Sequence, residues 1–243
     1  MEVLEVLKQC KISGQVVTLP DIQLDRKLYQ DTAKKLELIG GKWNKKFKGF
    51  LFPENPTGLF TDICNGDNRN IKKEFQFFET PEALADEICG YIPDSAKEIL
   101  EPSAGRGSIV RAINKKNPES KVYYYELMEL NQKMFKGNAE FLGFDFLTST
   151  TGLLGKKFDC IIANPPFNKN QDIEHFYKMY EACKTGGRII SIMSKHWILS
   201  SNKKESEFRD FLNLCNAQII EIKAGKFKES GTNIASCYVV LDK

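Results

Sequence analysis

Residues 99–110 read ILEPSAGRGSIV, and this stretch decides which class of fold the chain can adopt. An apolar run typical of a buried strand ends in a loop of small residues that contains Gly105 and Gly107, and an apolar helical pattern follows. Such a loop allows a ligand to approach the backbone at the head of a strand. By itself the pattern also fits an ordinary tight turn, so its interpretation depends on the sequence around it.

Strand-like and helix-like segments alternate after this loop. Five apolar strand patterns occur in all, at 98–102, 122–127, 140–146, 158–166 and 188–194. Helical patterns separate most of them, as at 175–184, which predicts a parallel sheet with helices on both faces. Two more strand-like runs, 218–227 and 235–243, are joined by a short turn and predict a hairpin with an antiparallel last strand. The expected fold is therefore α/β, a seven-stranded, mostly parallel, Rossmann-like sheet.

Acidic residues follow the second and third of these strands. Glu126 lies 21 positions after Gly105 (126 minus 105), where a carboxylate can accept hydrogen bonds from the ribose hydroxyls of a cofactor. Asp145 ends the third strand, where an adenine amino group could be bound, and the Phe146 ring could pack on the base. These positions predict a cofactor that contains adenosine. They do not separate S-adenosylmethionine from a nicotinamide cofactor.

The sequence Asn164-Pro165-Pro166-Phe167 directly follows the fourth strand pattern. The carboxyl end of a strand is where open α/β sheets bind ligands, and two consecutive prolines stiffen the backbone and remove two N–H donors. The Asn164 side-chain oxygen and the Pro165 carbonyl could each accept a proton from a substrate amino group. Phe167 could stack on a base rotated out of its helix. Nothing in hydride transfer requires this motif, which disfavours a nicotinamide enzyme.

These motifs resemble those of the class I S-adenosylmethionine-dependent methyltransferases, in particular the amino-methyltransferases of nucleic acids. LEPSAGRG resembles their first motif, Glu126 the acidic residue of the second, Asp145-Phe146 the third, and NPPF at 164–167 the catalytic motif. The order is similar to that of the γ-type adenine-N6 DNA methylases of restriction-modification systems. The resemblance covers about residues 75–243 and implies methyl transfer to adenine N6 in DNA, with no metal.

The resemblance also implies roles for individual residues. The expected cofactor-binding residues are Phe78, Thr80, Glu101, Pro102, Ser103, Gly105, Gly107, Glu126, Leu127, Asp145, Phe146 and Asn164. The expected catalytic residues are Asn164, Pro165, Pro166 and Phe167. Phe227, in a segment similar to the closing hairpin of the family, is expected to form a second wall for the target base. Independently of the resemblance, Thr80 is predicted to cap a helix whose first turn contains Pro81.

Residues 1–70 are predicted to form a separate small α+β module, and 71–243 the catalytic domain, with a polar, turn-rich boundary near 64–74. The module resembles one that precedes adenine methylase domains in phage and mobile-element proteins. Gly40-Gly41 end a helical pattern, and the run KWNKKFKGFLF follows at 42–52. In this run lysines are interleaved with aromatic residues: Lys42, Trp43, Lys45, Lys46, Phe47, Lys48 and Phe50. The run fits a surface that contacts phosphates and bases. It equally fits a hairpin with its aromatic rings buried and its lysines in solvent.

Composition is compatible with this interpretation but does not establish it. The chain has 243 residues, 42% of them hydrophobic, and a formal net charge of +3, which nucleic-acid binding tolerates without requiring. Its seven cysteines are scattered and contain no CxxC pair, so we expect reduced thiols and no zinc site in a cytoplasmic protein. No secretory signal or membrane-spanning run is evident.

Two further expectations concern specificity and the histidines. The γ-type enzymes usually carry a large recognition domain after the catalytic domain, so we expect recognition here to come from residues 1–70, from a partner protein or from weak contacts. His175 is expected on a helix surface, and neither His175 nor His196 is needed as a base. Methylation of RNA or of protein glutamine remains an alternative, as does a non-catalytic nucleic-acid-binding protein on the same fold.

Overall fold

A computed structural model describes residues 2–52, 55–64, 79–149, 156–223, 226 and 235–243. The chain divides into two compact units, Met1–Phe77 and Phe78–Lys243. The boundary that we predicted after residue 70 falls in the segment 65–78, outside the described residues. In the described part of the chain, no helix combines the length and the apolar character needed to cross a membrane.

The first unit is a small α+β structure. Its elements are α1 (Val3–Lys8), β1 (Lys11–Ser13), β2 (Val16–Thr18), α2 (Arg26–Leu38), β3 (Lys42–Asn44), β4 (Gly49–Leu51) and α3 (Thr57–Cys64). Asp25 caps α2, because its side chain accepts a hydrogen bond from the Leu28 amide (2.9 Å). The four strands form an antiparallel sheet in the order β1-β2-β4-β3. The lysine-rich run therefore forms the hairpin β3–β4, with β3 at an edge of the sheet.

The second unit carries the predicted α/β sheet. Its strands are β5 (Glu98–Glu101), β6 (Lys121–Tyr125), β7 (Glu140–Gly143), β8 (Phe158–Ala163), β9 (Cys183–Ser194), β10 (Gln218–Glu221) and β11 (Ser236–Asp242). Its helices are α4 (Glu82–Cys89), α5 (Ser108–Lys116), α6 (Glu129–Lys133), α7 (Gln171–Ala182), α8 (His196–Leu199) and α9 (Lys203–Leu214). A single 3₁₀ turn, Asn168–Asn170, precedes α7.

The sheet confirms the predicted fold class. Its strand order is β10-β11-β9-β8-β5-β6-β7, in which β5 to β9 run parallel and β11 runs antiparallel between β9 and β10. The strand order reverses at β5, since β6 lies on one side of it and β8 on the other. Such a reversal opens a crevice beyond the carboxyl ends of the strands, where ligands of α/β sheets bind.

Both faces of the sheet are covered by helices, as the continuous apolar strand patterns predict. In β6, Val122 and Tyr124 belong to a core that includes residues of α4 and α5, whereas Tyr123 and Tyr125 belong to a second core with residues of α7 and α9. Alternate side chains of one strand thus serve the two faces. This packing fixes the strands firmly and leaves their carboxyl ends as the edge that can carry function.

One local prediction was wrong. Helix α4 begins at Glu82 with Pro81 as its N-cap residue, and no side chain caps its first turn. The Thr80 hydroxyl does not reach back to this helix. It accepts a hydrogen bond from Nδ2 of Asn164 at 3.0 Å, 84 positions away in sequence. A tertiary partner therefore replaces the local capping bond that the sequence favours.

Candidate functional site

The carboxyl ends of the five parallel strands bring the predicted residues to one edge of the sheet. Glu101 ends β5, Glu126 follows β6, Asp145 lies two residues after β7, and Asn164 follows β8. Phe78 and Phe227, which we also predicted, lie outside the described residues. The elements that position the remaining residues are therefore the strands themselves and the short loops that follow them.

The glycine loop after β5 is tied to the end of β6. Gly105 has a left-handed backbone (φ 56°), and its amide donates to Oε2 of Glu126 at 2.6 Å. Gly107 is also left-handed (φ 84°), and a Cβ atom there would lie 2.3 Å from the carbonyl oxygen of Lys136. Both positions favour glycine, but Gly107 does so because another backbone segment passes close by, which is a structural reason rather than a ligand.

Glu126 is buried, and its carboxylate already accepts hydrogen bonds from three groups of the protein. Its Oε1 accepts hydrogen bonds from the Met128 amide (2.8 Å) and from Nδ2 of Asn131 (3.2 Å), and its Oε2 accepts the one from Gly105. Burial raises the pKa of Glu126, and these bonds and the Arg106 charge oppose that rise. A carboxylate has about four accepting directions. Oε2 therefore keeps one accepting direction for a ligand. The sequence led us to expect that Glu126 would accept hydrogen bonds from both ribose hydroxyls.

Two residues of this cluster were missed by sequence reasoning. Arg106 is buried within the glycine loop, and its Nε donates to Oδ1 of Asn131, which in turn bonds to Glu126. Arg106 thus places a positive charge near a buried carboxylate. The arginine is visible in the loop sequence, whereas Asn131 lies within the short helix α6, and no local pattern shows that its side chain contacts Glu126.

Glu101 is a second buried carboxyl group at the same edge. It is 1% exposed, and its Oε1 accepts hydrogen bonds from the backbone amide (3.0 Å) and the hydroxyl (3.4 Å) of Ser103. Burial raises the pKa of Glu101 to about 8, and the Glu126 charge adds to that rise. Two neighbouring buried carboxyl groups make this edge suited to a ligand that carries hydroxyl groups or positive charge.

The predicted role of the Phe146 ring is not supported. Phe146 is 2% exposed, and its ring packs against Tyr125 (5.4 Å between centroids) and His175 (5.9 Å) in the second core. Its faces are therefore covered by protein. Phe144, on the other side of Asp145, is 51% exposed instead. The β7 strand ends at Gly143, so the alternation of a strand no longer determines which of the two rings points outward.

Asp145 stabilises the turn that follows β7. Its Oδ1 accepts from the Leu147 amide (2.8 Å) and its Oδ2 from the Thr148 hydroxyl (2.9 Å). Both oxygens thus have one protein donor, and each retains a further accepting direction. Leu127, directly after Glu126, is 54% exposed. Leu127 and Phe144 are thus exposed apolar side chains at the ends of neighbouring strands, since β6 pairs with β7.

Asn164 is fixed by its contact with Thr80. Its amide nitrogen faces the Thr80 hydroxyl, so the carbonyl oxygen Oδ1 is turned the other way. Pro165 is buried and Pro166 half-buried, which leaves the stiff backbone little freedom. Phe167 is half-buried, packed against the first core and partly open. The motif therefore presents an oriented amide and a partly exposed aromatic ring at the end of β8.

His175 differs from our expectation of a surface residue. It is 6% exposed on α7, and its Nδ1 is hydrogen-bonded to the Gln171 carbonyl oxygen at 2.8 Å. Burial lowers its pKa, so the neutral ring is favoured. A helical pattern alone does not show that this face of α7 lies against the Phe146 ring, which is why the position was assigned to solvent.

In the first unit, the β3–β4 hairpin divides its aromatic residues between core and solvent. Phe50 is 1% exposed, whereas Trp43 and Phe47 are 45% and 48% exposed. All four lysines of the hairpin are exposed: Lys42, Lys45, Lys46 and Lys48. The amides of Lys46 and Phe47 bond to Oδ1 of Asn44, which shapes the turn (2.9 and 3.3 Å). The hairpin with all rings buried, one of the two alternatives left by the sequence, is therefore not the one formed.

Comparison with known proteins places the fold. No family model matches the sequence, and no curated protein is similar to it. Among solved structures, the chain is similar to an O-methyltransferase from Bacillus cereus in complex with SAH, with a TM-score of 0.53, 14% identity and coverage of 71% of this chain and 86% of that one. It is also similar to the O-methyltransferase TomG from Streptomyces achromogenes in complex with SAM, with a TM-score of 0.51, 12% identity and coverage of 71% and 86%.

A third similar structure is cofactor-bound Rv0187 from MTB, with a TM-score of 0.51, 13% identity and coverage of 78% of this chain and 96% of that one. At such low identity the likeness concerns the fold. The chain thus shares the Rossmann-like fold of these structures, with a mixed seven-stranded sheet and helices on both sides.

The buried Glu101 leads to a prediction about stability and pH. Its pKa in the folded protein, about 8, lies above the ordinary value of 4.5, so its stabilising effect is complete below about pH 4.5 and is lost as the pH rises through 8. The free energy of unfolding of the wild type should fall over this range by on the order of a few kcal/mol. Denaturant unfolding at a series of pH values measures it.

Glu101→Gln is the matched variant, because it keeps an acceptor for Ser103 and removes the titration. Its free energy of unfolding should depend less on pH than that of the wild type between pH 5 and pH 8. Parallel curves for the two proteins would show that Glu101 does not titrate in this range.

Proposed function

We propose that this chain is an S-adenosylmethionine-dependent N-methyltransferase that methylates N6 of adenine in DNA. The observation that carries the proposal is Asn164 at the end of β8, held by Thr80, with the two prolines and Phe167 behind it. This arrangement offers acceptors to an amino group and an aromatic ring to a base, beside an edge that fits a nucleoside cofactor. The Rossmann-like fold is consistent with it.

The edge formed by β5, β6 and β7 fits S-adenosylmethionine. The exposed side chains of Leu127 and Phe144 offer apolar contacts for an adenine ring. Glu126 keeps an accepting direction for a ribose hydroxyl, and Asp145 can accept from an adenine amino group. Glu101 and Ser103, at the end of β5, complement the charged amino-acid part. The bound cofactor would supply a methyl group on positively charged sulfur.

The residues after β8 act on the substrate nitrogen. Oδ1 of Asn164 and the Pro165 carbonyl accept hydrogen bonds from the amino group, which draws its lone pair out of conjugation with the base. With its lone pair freed, the nitrogen would take the methyl group from a bound donor, whose sulfur would keep the electrons of the broken carbon–sulfur bond, and the nitrogen would then lose a proton to solvent. Phe167 holds the base by stacking. Positioning and fixed dipoles would provide most of the rate.

The β3–β4 hairpin supports a nucleic acid as the substrate. It combines four exposed lysines with two exposed aromatic side chains, Trp43 and Phe47, which suit phosphates and unpaired bases respectively. The Trp43 ring also packs edge-on against Phe50 (5.3 Å between centroids), but nearly half of it and of the Phe47 ring stays exposed, which leaves surface for a bound base. We place the enzyme in the cytoplasm, where its seven free cysteines would stay reduced.

A transfer assay distinguishes this proposal from the alternatives. The protein is incubated with methyl-tritiated S-adenosylmethionine and separate pools of DNA, RNA and protein, and labelled nucleosides are identified after digestion. We expect label in N6-methyladenine from DNA. Label in RNA or in protein glutamine would change the substrate, and binding of DNA without transfer would favour a non-catalytic protein.

Asn164 should be needed for turnover and not for cofactor binding. Asn164→Ala should lower kcat by about 100-fold or more, because a hydrogen bond that strengthens in the transition state is lost. Asn164→Asp keeps an acceptor and lets the Thr80 hydroxyl act as donor, so it should retain more activity than the alanine variant. Asn213→Ala, at an exposed asparagine of α9, is the control. Equal activity of the alanine variant and the wild type would remove Asn164 from catalysis.

Phe144 should contribute to cofactor affinity through its exposed face, while its edge contact with Phe141 (5.3 Å between centroids) contributes to stability. Phe144→Ser should weaken binding of S-adenosylmethionine by roughly 1–2 kcal/mol, about 5- to 30-fold, as expected for an apolar contact removed from an exposed ring. Titration calorimetry measures the affinity. Leu214→Ser, at a leucine that is 83% exposed on α9, is the control and should bind normally. Unchanged affinity in Phe144→Ser would place the adenine elsewhere.

The hairpin lysines should set the salt dependence of DNA binding. Each phosphate contact that is lost should lower the slope of log affinity against log salt by about 0.9 on duplex DNA or about 0.7 on single strands. The test replaces Lys42, Lys45, Lys46 and Lys48 with glutamine together. Trp43→Ala should weaken binding to single strands by roughly 1–3 kcal/mol.

A control with the same net charge replaces four lysines of the second unit that form ion pairs: Lys115, Lys116, Lys121 and Lys133. Each pair is exposed, so its loss should cost little stability. We expect the slope to change in the hairpin variant and to stay close to that of the wild type in the control. Equal slopes for the two variants would mean that overall charge, and not the hairpin, determines binding.

A further inference from the structure

The turn that follows the Asn164–Phe167 motif has an unfavourable backbone. Residues Asn168–Asn170 form a single 3₁₀ turn in which Lys169 (φ 55°) and Asn170 (φ 62°) both lie in the left-handed region. Most residues other than glycine are disfavoured there, because Cβ approaches the following carbonyl oxygen; asparagine tolerates the region as a single residue, whereas lysine does so less readily. Two in succession persist only where the surroundings hold them. The contacts of this turn therefore show what fixes the segment behind the motif.

A chain of hydrogen bonds holds Asn170. Its Nδ2 donates to Oε1 of Glu205 on α9 (2.9 Å), and its Oδ1 is hydrogen-bonded to Nε2 of His196. Nδ1 of His196 is hydrogen-bonded to Oγ of Ser194, the last residue of β9. The Ser194 hydroxyl donates to Oδ2 of Asp172 on α7 (2.7 Å). The chain thus runs between two buried carboxylates, across the turn and the imidazole ring.

The donors and acceptors in this chain determine where the protons are. A carboxylate accepts and an amide oxygen accepts, so Asn170 turns its nitrogen to Glu205 and its oxygen to His196. Nε2 of His196 must then be a donor. Ser194 gives its proton to Asp172 and presents oxygen lone pairs to the ring, so Nδ1 must also be a donor. Every bond in the chain is satisfied when both ring nitrogens carry a proton.

Both carboxylates are suited to their part in this arrangement. Oδ2 of Asp172 accepts the Ser194 amide (3.1 Å) as well as its hydroxyl, and Oδ1 accepts the Ile173 amide (3.1 Å). Burial raises the pKa of Asp172, and the hydrogen bonds from Ser194 and the nearby His196 charge oppose that rise. The hydrogen bond from Asn170 holds the pKa of Glu205 below its usual range. Two acceptors thus flank one doubly protonated ring.

Other charged side chains on the same elements are engaged elsewhere. The ion pairs are Lys195–Glu221 between the residue before α8 and β10, Glu174–Lys204 between α7 and α9 (2.6 Å), and Lys203–Glu207 within α9 (3.7 Å). Lys169 is exposed in the turn itself. Asp172 and Glu205 are therefore the charged groups that face the ring through its two hydrogen-bonded neighbours.

We propose that His196 is a positioning residue that carries a proton on both ring nitrogens and, in that form, locks the turn behind Asn164–Phe167. The catalytic importance of this lock rests on the proposed function, whereas the hydrogen-bond chain does not. When the ring loses one proton, the bond to Asn170 or the bond to Ser194 loses its donor.

The first test reads the protons directly and needs no catalysis. Long-range ¹H–¹⁵N correlation spectra distinguish imidazolium from the neutral tautomers, and the chain has two histidines, which a His175→Gln variant assigns. At pH 6 we expect both nitrogens of His196 to be protonated. Asn170→Gly allows the left-handed backbone without the side-chain bonds, so the Nε2 proton should exchange faster in that variant. A singly protonated ring in the wild type at pH 6 would overturn the proposal.

The second test reads the effect on the reaction. In His196→Gln, kcat should fall about 10-fold or more, because the motif is less well positioned, while the affinity for S-adenosylmethionine stays unchanged. A variant with the kcat of the wild type would refute the positioning role. If the wild type transfers no methyl group, the proposed function fails, and the ring spectra still decide the protonation of His196.

Discussion

The hydrogen bond between the Gly105 amide and the Glu126 carboxylate is the contact on which the site depends. It joins the loop after the central strand β5 to the end of β6, at the point where the strand order of the sheet reverses. Because the same carboxylate also accepts from Met128 and Asn131, the glycine loop, the end of β6 and the turn into α6 form one rigid unit. A ligand there meets a carboxylate that is already oriented, which reduces the entropy that binding must overcome.

The burial of two carboxyl groups side by side has an electrostatic consequence. Burial raises the pKa of both Glu101 and Glu126, and the Glu126 charge raises that of Glu101 further, so a positive charge at this edge would be stabilising. The positive charge of Arg106, whose Nε is hydrogen-bonded to Asn131, partly compensates the two carboxyl groups. A positively charged sulfonium cofactor would compensate them further. Under the proposed function, the same edge would therefore bind the positively charged methyl donor more tightly than its neutral product.

Sequence patterns predicted the strands, their order along the chain and the residues at their ends, because apolar periodicity and glycine positions are local properties. They did not predict which ring beside Asp145 faces outward, since β7 ends at Gly143 and the alternation stops there. They also gave Thr80 a local capping bond that a distant partner, Asn164, replaces. The exposure of Trp43 and Phe47 and the contacts of His196 depend on packing between segments far apart in sequence, which no local pattern contains.

The place of β11 in the sheet affects the way the chain can fold. This strand comes after β10 in sequence but lies inside it, between β9 and β10, and pairs with both. In the described sheet β10 is joined to the rest through β11, so it cannot dock until the later strand has arrived. During synthesis β9 would then remain an open edge with unpaired backbone N–H and C=O groups, and such edges can pair with other chains. Addition of β11 and β10 to the sheet is thus a late step in folding, and until it occurs the chain is prone to associate with other chains.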